Sequence, residues 1–255
     1  MARAIFKAVI VIGDIRVPVK LYSAVEDRTV RFHLLHDQDM ARVKQRMVNP
    51  ETGDVVEVRE ARRGLEVEPG RFVVMRPEEL EELEPQPSRT IRIERFIDPA
   101  VIEHQWYERP YWLGPDGDEA AYWALAKAIE RRAKEGLARW VMRKKEYLGV
   151  LRVDRGYLAL VTIRHADEVI PTDDLEPPAG RELDPKELRL AEQLVAALEG
   201  PFEPETYRDE HRERVLALIE TKAQGGEIEL RRAERKPARG SLASLLEASL
   251  AGKET

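Results

Sequence analysis

The stretch Leu137–Arg164, LARWVMRKKEYLGVLRVDRGYLALVTIR, decides the fold. It reads as three short strands in succession, rich in β-branched and aromatic residues. Turn material separates the runs at Arg143-Lys144-Lys145-Glu146 and at Asp154-Arg155-Gly156. Asp-x-Gly between two apolar runs is a hairpin signal, because glycine takes positive φ without a Cβ clash. Side chains alternate across a strand. Ala138, Trp140 and Met142 therefore share one face, and Arg139, Val141, Arg143 and Lys145 the other. A sheet with an apolar back and a basic front is a candidate polyanion surface. The plainer alternative is a solvated strand face beside a basic turn.

The chain has 255 residues, 43% of them apolar, enough for one large domain or a domain with a smaller unit. The charged share is 35%, against about 25% in ordinary domains, so much of the chain faces water. A net charge of -6 argues against indiscriminate coating of nucleic acid, but binding depends on where charges sit. Residues 1–50 carry nine Lys/Arg against five Asp/Glu, whereas residues 51–100 carry eight against thirteen. With no cysteine, disulfides and thiolate metal sites are excluded. The first residues carry no cleavage motif and no run is long enough to span a membrane, so a cytoplasmic protein without a membrane partner is expected.

Residues 4–12 and 15–22 are strand-like and joined by Gly13-Asp14; Pro18 demotes the second to an edge or a bulge. Thr29–Leu35 reads as a further strand. After the polar turn His36–Asp39, residues 41–48 read as an extended run with Arg42, Lys44 and Arg46 on one side. Strands are also expected at 70–75 and 90–97, and a short acidic helix at 77–83. Asp116–Glu135 reads as a helix with Ala121, Leu125, Ala128 and Ile129 on its apolar face and Gly136 closing it. Composition shifts at Ile170–Gly180, which is acidic and proline-rich, and two helices follow at about 184–198 and 204–223. The division expected is a core at 1–170, a linker at 171–183, a helical arm at 184–225 and a tail at 226–255. That tail holds the basic run Arg231, Arg232, Arg235, Lys236 and Arg239, then a leucine stripe at Leu242, Leu245, Leu246 and Leu250.

Support for catalysis is thin. No phosphate loop, nucleophile elbow, zinc-protease helix or dinucleotide motif is present. His33, His36, Asp37 and Asp39 could form a nuclease metal site only if a strand end brought them together, and turn capping explains such residues as well. No catalytic residue, metal or cofactor is expected. The basic rows are the stronger signal. Arg31, Arg42, Lys44, Arg46, Arg89, Arg92, Arg139, Arg143, Lys144 and Lys145 lie on separate strands of one sheet-rich region. If those strands are neighbours, the cations form a band against phosphate, and such a band carries no base information. The tail cations would add contact with DNA or a partner. A generic basic-faced module for nucleic acid or protein is the alternative.

Several segments together resemble bacterial Ku proteins. They are ARAIFKAVIVIGDIRVPVKLYSA followed by VRFHLLH, then YERPYWLGPDGDEAAYWALAKAI, MRKKEYLGVLR, IRHADEV, KELRLAEQLV and FEPETYRDEHRERVLALIETKA. The likeness runs in unbroken order over about residues 2–224. It departs from the familiar pattern at Lys7-Ala8-Val9, at Ile12-Gly13-Asp14 and at Lys144, where a glycine is common. The resemblance implies an α+β, mainly β fold: a Ku-type β-barrel core with a helical arm, two copies clasping into a ring. It implies a non-enzymatic, nucleoid-associated protein that binds double-stranded DNA ends in non-homologous end joining. It also implies two partners, a second copy of the chain and a multifunctional ATP-dependent DNA ligase.

Overall fold

A computed structural model describes residues 3–175 and 184–225. In chain order its elements are β1 (Phe6–Ile12), β2 (Ile15–Ser23), β3 (Met47–Val48), β4 (Val55–Val56), β5 (Arg63–Glu68), β6 (Arg71–Met75) and α1 (Pro77–Glu82). Then come β7 (Thr90–Ile97), β8 (Tyr107–Pro115), α2 (Glu119–Arg132), β9 (Glu135–Met142), β10 (Lys145–Asp154) and β11 (Tyr157–Ile163). The last two helices are α3 (Pro185–Leu198) and α4 (Glu210–Ala223). The chain divides into two compact units. One holds the residues up to Asp27 and His33–Thr172; the other joins Arg28–Phe32 to the described residues from Asp173 onward.

The first unit contains a closed barrel in the order β1-β2-β8-β11-β10-β9-β7, with β7 returning to β1. All neighbours are antiparallel except that closing pair, where Val9, Ile10 and Val11 align with Thr90, Ile91 and Arg92. Val9 N–H donates to the Arg89 carbonyl across this seam at 2.8 Å. The expected meander is present: β9 pairs with β10 and β10 with β11 through two tight turns. Alternation follows the apolar pattern. Ala138, Trp140 and Met142 point inward with Ile10, Val17, Val19, Leu21, Ile91, Leu113, Leu151, Leu158 and Leu160. Burial of this set is the main stabilising term, at about 25 cal/mol per Å² of apolar surface.

Gly149 shows how tightly the barrel wall is packed. A Cβ there would meet the Val161 carbonyl oxygen and lie 2.8 Å from the Trp140 ring. Pro18 does not place β2 at an edge, since β2 lies between β1 and β8. Pro18 faces Val9, whose N–H goes to the other side of β1, so the missing proline donor removes no bond to β1; on the β8 side, where the ladder ends, the Pro18 carbonyl still accepts from Asp116 N–H at 3.1 Å.

Helix α2 begins at Asp118, whose carboxylate accepts from Ala121 N–H, and ends at Ala133 with φ 48°. Gly136 therefore does not close it; that glycine lies in β9 against Ile93 and Phe96. The buried face is Tyr122, Ala126 and Ile129, with Ala121 and Leu125 partly covered and Ala128 exposed. Tyr122 turns the helix this way because its hydroxyl has buried partners. It donates to the Leu113 carbonyl at 2.6 Å and accepts from Leu158 N–H at 3.0 Å.

Between β2 and β7 the chain leaves the barrel. Thr29–Leu35 and 41–46 are not regular strands; one isolated bridge, Leu35 to Arg42, links them. The turn is held by a hydrogen bond between the His36 ring and the Asp39 carboxylate at 2.7 Å, with Met40 at φ 55°. Further on, β3 pairs with β4 and β5 with β6. Among the described residues these short ladders have no second layer, and none of their own residues is buried. In the second unit, α3 and α4 likewise bury no residue. The second helix starts later than expected, because Pro204–Thr206 form a separate 3-10 turn.

Candidate nucleic-acid interface

The outward faces of β7 and β9 bring two cations together. Arg92 on β7 stands directly opposite Arg139 on β9. Two guanidinium groups at facing positions repel. Two carboxylates on the same face relieve this: Glu94 accepts from Arg139 at 2.8 Å, and Glu146 lies 4.0 Å from it. These four side chains line a cleft of about 220 Å³ with Ser88, Thr90, Val141 and Trp140. The Trp140 indole N–H is buried and has no hydrogen-bond partner among the described residues. Arg89 sits exposed just before β7, its carbonyl committed to the barrel seam.

The next cations lie in the β9–β10 turn, which is shorter than its sequence suggests. Lys145 pairs with Met142, so only Arg143 and Lys144 are turn residues. Both have left-handed backbones, φ 51° and 64°. A two-residue hairpin turn of this hand favours Asn or Gly, and ordinary side chains there are strained. The turn breaks the alternation read from the sequence, so Arg143 and Lys145 do not simply continue the Arg139 face. Lys145 Nζ lies 5.5 Å from the Tyr147 ring centre, and Tyr147 stacks on Trp140. Lys144 Nζ is 2.9 Å from a Glu84 carboxylate oxygen, which holds the lysine above its ordinary pKa by hydrogen bonding and charge. This contact ties the turn to the segment just after α1.

One cation escaped the sequence reading. Arg109 on β8 lies over the Tyr111 ring at 5.7 Å, and Arg143 is close enough to act on the same phenol. Burial pushes the Tyr111 phenol up, and the two guanidiniums partly offset this. Its signal was an arginine two positions before a barrel-facing tyrosine, which strand alternation places on the same side.

The remaining expected residues are placed differently. Arg42, Lys44 and Arg46 are exposed, but not as one face of a strand, because residues 41–46 lack a continuous ladder. Arg31 belongs to the helical unit rather than the barrel unit. Arg231, Arg232, Arg235, Lys236, Arg239 and the leucine stripe lie outside the described residues. His36 and Asp39 pair with each other, and no three His, Asp or Glu side chains among the described residues could hold a metal ion together. No helix among those residues is long and apolar enough to cross a membrane.

Residues 11–190 match the family model described as the Ku70/Ku80 beta-barrel domain. The chain is 44% identical over 254 residues to the non-homologous end joining protein Ku of Anaeromyxobacter sp. (strain K), covering 98% of this chain and 86% of that protein. It is 36% identical to the protein of that name from Archaeoglobus fulgidus, with 89% and 90% covered. Ku 2 of Geotalea uraniireducens is also 36% identical, with 89% of each covered. Among solved structures, the SPOC domain of human PHD-finger protein 3 aligns with 64% of this chain and 97% of its own, at 14% identity and a TM-score of 0.31.

Proposed function

The chain belongs to the Ku family, whose members bind DNA ends without catalysing a reaction, and from that premise we propose that two copies close around a free end of duplex DNA. The complex serves non-homologous end joining and reads no base sequence. The observation that carries this reading is the direct opposition of Arg92 and Arg139 on the outward side of β7 and β9, with Arg143 and Lys144 in the turn that ends β9, in a chain whose net charge is -6. Cations on a fixed wall contact phosphates at set spacings, and an acidic remainder keeps the outside from binding DNA generally.

Support for the homodimer comes from the parts that cannot bury themselves. Phe72, Val74 and Leu65 on β5 and β6 are exposed, as are Leu188, Val195 and Leu198 on α3. A two-stranded ladder or a lone helix pair is marginal in water, so a second copy is the economical cover. The helices at 184–225 are then dimer arms, 171–183 their linker, and the basic tail an outer contact for DNA. An ATP-dependent DNA ligase is the further proposed partner, acting on the ends that the dimer holds.

The test is competition between a linear duplex and a covalently closed circle of the same sequence in a gel shift. Threading requires strong preference for the linear form. Equal affinity overturns it and leaves a basic-faced module without end specificity.

A further inference from the structure

The cations on the proposed DNA face are not equally available. Arg92 and Arg143 have no ion-pair partner among the described residues, but Arg139 is bound to Glu94 at 2.8 Å and Lys144 to Glu84 at 2.9 Å. The two carboxylates reach the face from different places. Glu94 projects from β7 itself, whereas Glu84 lies between α1 and β7. Each neutralises a cation that the spacing of the strands would otherwise present to phosphate.

We infer that Glu84 and Glu94 are gating carboxylates, and that duplex DNA binds by exchanging its phosphates for them on Lys144 and Arg139. This rests on the reading of the face as a DNA surface and adds how its grip is regulated. Three observations support an exchange. The pairs are partly exposed, with Glu84 and Glu94 side chains at 35% and 31%, so their separation leaves no charge buried. Ion pairs at such positions contribute little net stability and are readily traded. The Lys144 backbone is left-handed, in a turn where glycine would be unstrained, so this side chain is presented at a conformational cost.

The exchange sets the strength of binding. A cation already neutralised releases fewer counterions when phosphate arrives, since its carboxylate must be rehydrated. Salt dependence is then shallower than the number of cations on the face implies. A clamp that must travel along a duplex gains from this, because each step breaks weaker contacts. The competing explanation is structural: Glu94 merely relieves the repulsion between Arg92 and Arg139, and Glu84 merely braces the turn.

Salt dependence separates the two. Affinity for a short labelled linear duplex is measured by fluorescence anisotropy across a series of salt concentrations. The proteins compared are the full chain, Glu84→Gln, Glu94→Gln and the double variant. Exchange predicts tighter binding at fixed salt and a plot of log affinity against log salt that is steeper by about 0.9 for each cation freed onto a phosphate. Asp98→Asn is the control, because it frees Lys134 just before β9, away from the turn, and should leave the slope unchanged. An unchanged slope in Glu84→Gln and Glu94→Gln, with a lower melting temperature, overturns the exchange in favour of bracing. Equal steepening by Asp98→Asn overturns it as a general charge effect. If the unaltered protein binds no duplex, the DNA reading of the face falls instead.

Discussion

The barrel and the hairpins inserted between β2 and β7 are built from the same kind of sequence, with apolar and charged residues interleaved along strands. They use it in opposite ways. In the barrel the apolar side chains Ile10, Val19, Leu21, Ile91, Leu113 and Leu158 meet one another, and none is more than 1% exposed. In β5 and β6 the corresponding residues are open to water: Leu65 is 68% exposed and Phe72 58%. The difference is closure. A sheet that closes on itself supplies its own second layer, while a two-stranded ladder has none. Alternation therefore predicts a strand in both places, but self-sufficiency in only one.

The sharpest test of that contrast is overpacking. Gly149→Val should destabilise the barrel by about 3 kcal/mol or prevent folding, because the added atoms meet a backbone oxygen and a packed indole that cannot both yield. Urea unfolding measures it, and a near-normal midpoint would mean that the wall is looser than its geometry. Next in size is Tyr122→Phe, which strips one carbonyl and one N–H of their buried partner. A loss of about 1–3 kcal/mol is expected in the same assay. Leu65→Ser with Phe72→Ser should change unfolding of the separated chain by no more than about 0.5 kcal/mol per site. Self-association, followed by sedimentation at micromolar concentrations, should drop sharply. Unfolding in place of dissociation would erase the contrast.

Two smaller effects probe the charged rim of the barrel. Asp116 binds both Lys7 and Lys20, at 3.1 and 2.9 Å, and these contacts hold its carboxyl below the usual range. A depressed carboxylate stabilises the fold above its unfolded pKa of about 3.9, and that contribution disappears as pH falls through its lower folded value. Asp116→Asn should therefore flatten the acid limb of a stability profile between pH 5 and 2. Its difference from the parent should shrink toward the acid end. Lys144→Gly should have the least effect on melting, since relief of the left-handed backbone offsets loss of the Glu84 contact. A clear fall in the midpoint would show that the contact outweighs the strain.

Where alternation and closure coincide, the sequence was readable. The β9–β11 meander and the inward set Ala138, Trp140 and Met142 follow from period-two patterning, because one face of each strand had an obvious use. The failures share a cause: they depended on neighbours that local pattern does not name. The side of α2 that turns inward was decided by a carbonyl and an N–H on β8 and β11 that satisfy the Tyr122 hydroxyl. Thr29–Leu35 had a suitable pattern but joins no regular ladder among the described residues beyond the Leu35–Arg42 bridge, and a boundary between the two units falls between Phe32 and His33. In the candidate site, Arg92 and Arg139 could be named from the sequence, but not their direct opposition. Nor could the commitment of Arg139 and Lys144 to Glu94 and Glu84, since those contacts are set by register and by a tertiary approach sixty residues apart.

The parallel seam between β1 and β7 also determines how the chain must fold. The β1–β2, β9–β10 and β10–β11 pairs can form by zipping from a turn; like the β2–β8 pair, which joins residues 19–23 to 111–115, the seam joins distant residues, 9–11 to 90–92, across the whole inserted segment. It is a high-contact-order step, and loop-closure entropy delays it relative to the β9–β11 meander. During synthesis β1 and β2 emerge early and wait with both outer edges open, until β7 arrives beside β1 and β8 beside β2. The seam is also the shortest ladder around the barrel, three aligned pairs. It is therefore the natural place for the native barrel to breathe, with Val9 and its neighbours exchanging amide hydrogens sooner than the residues of β10.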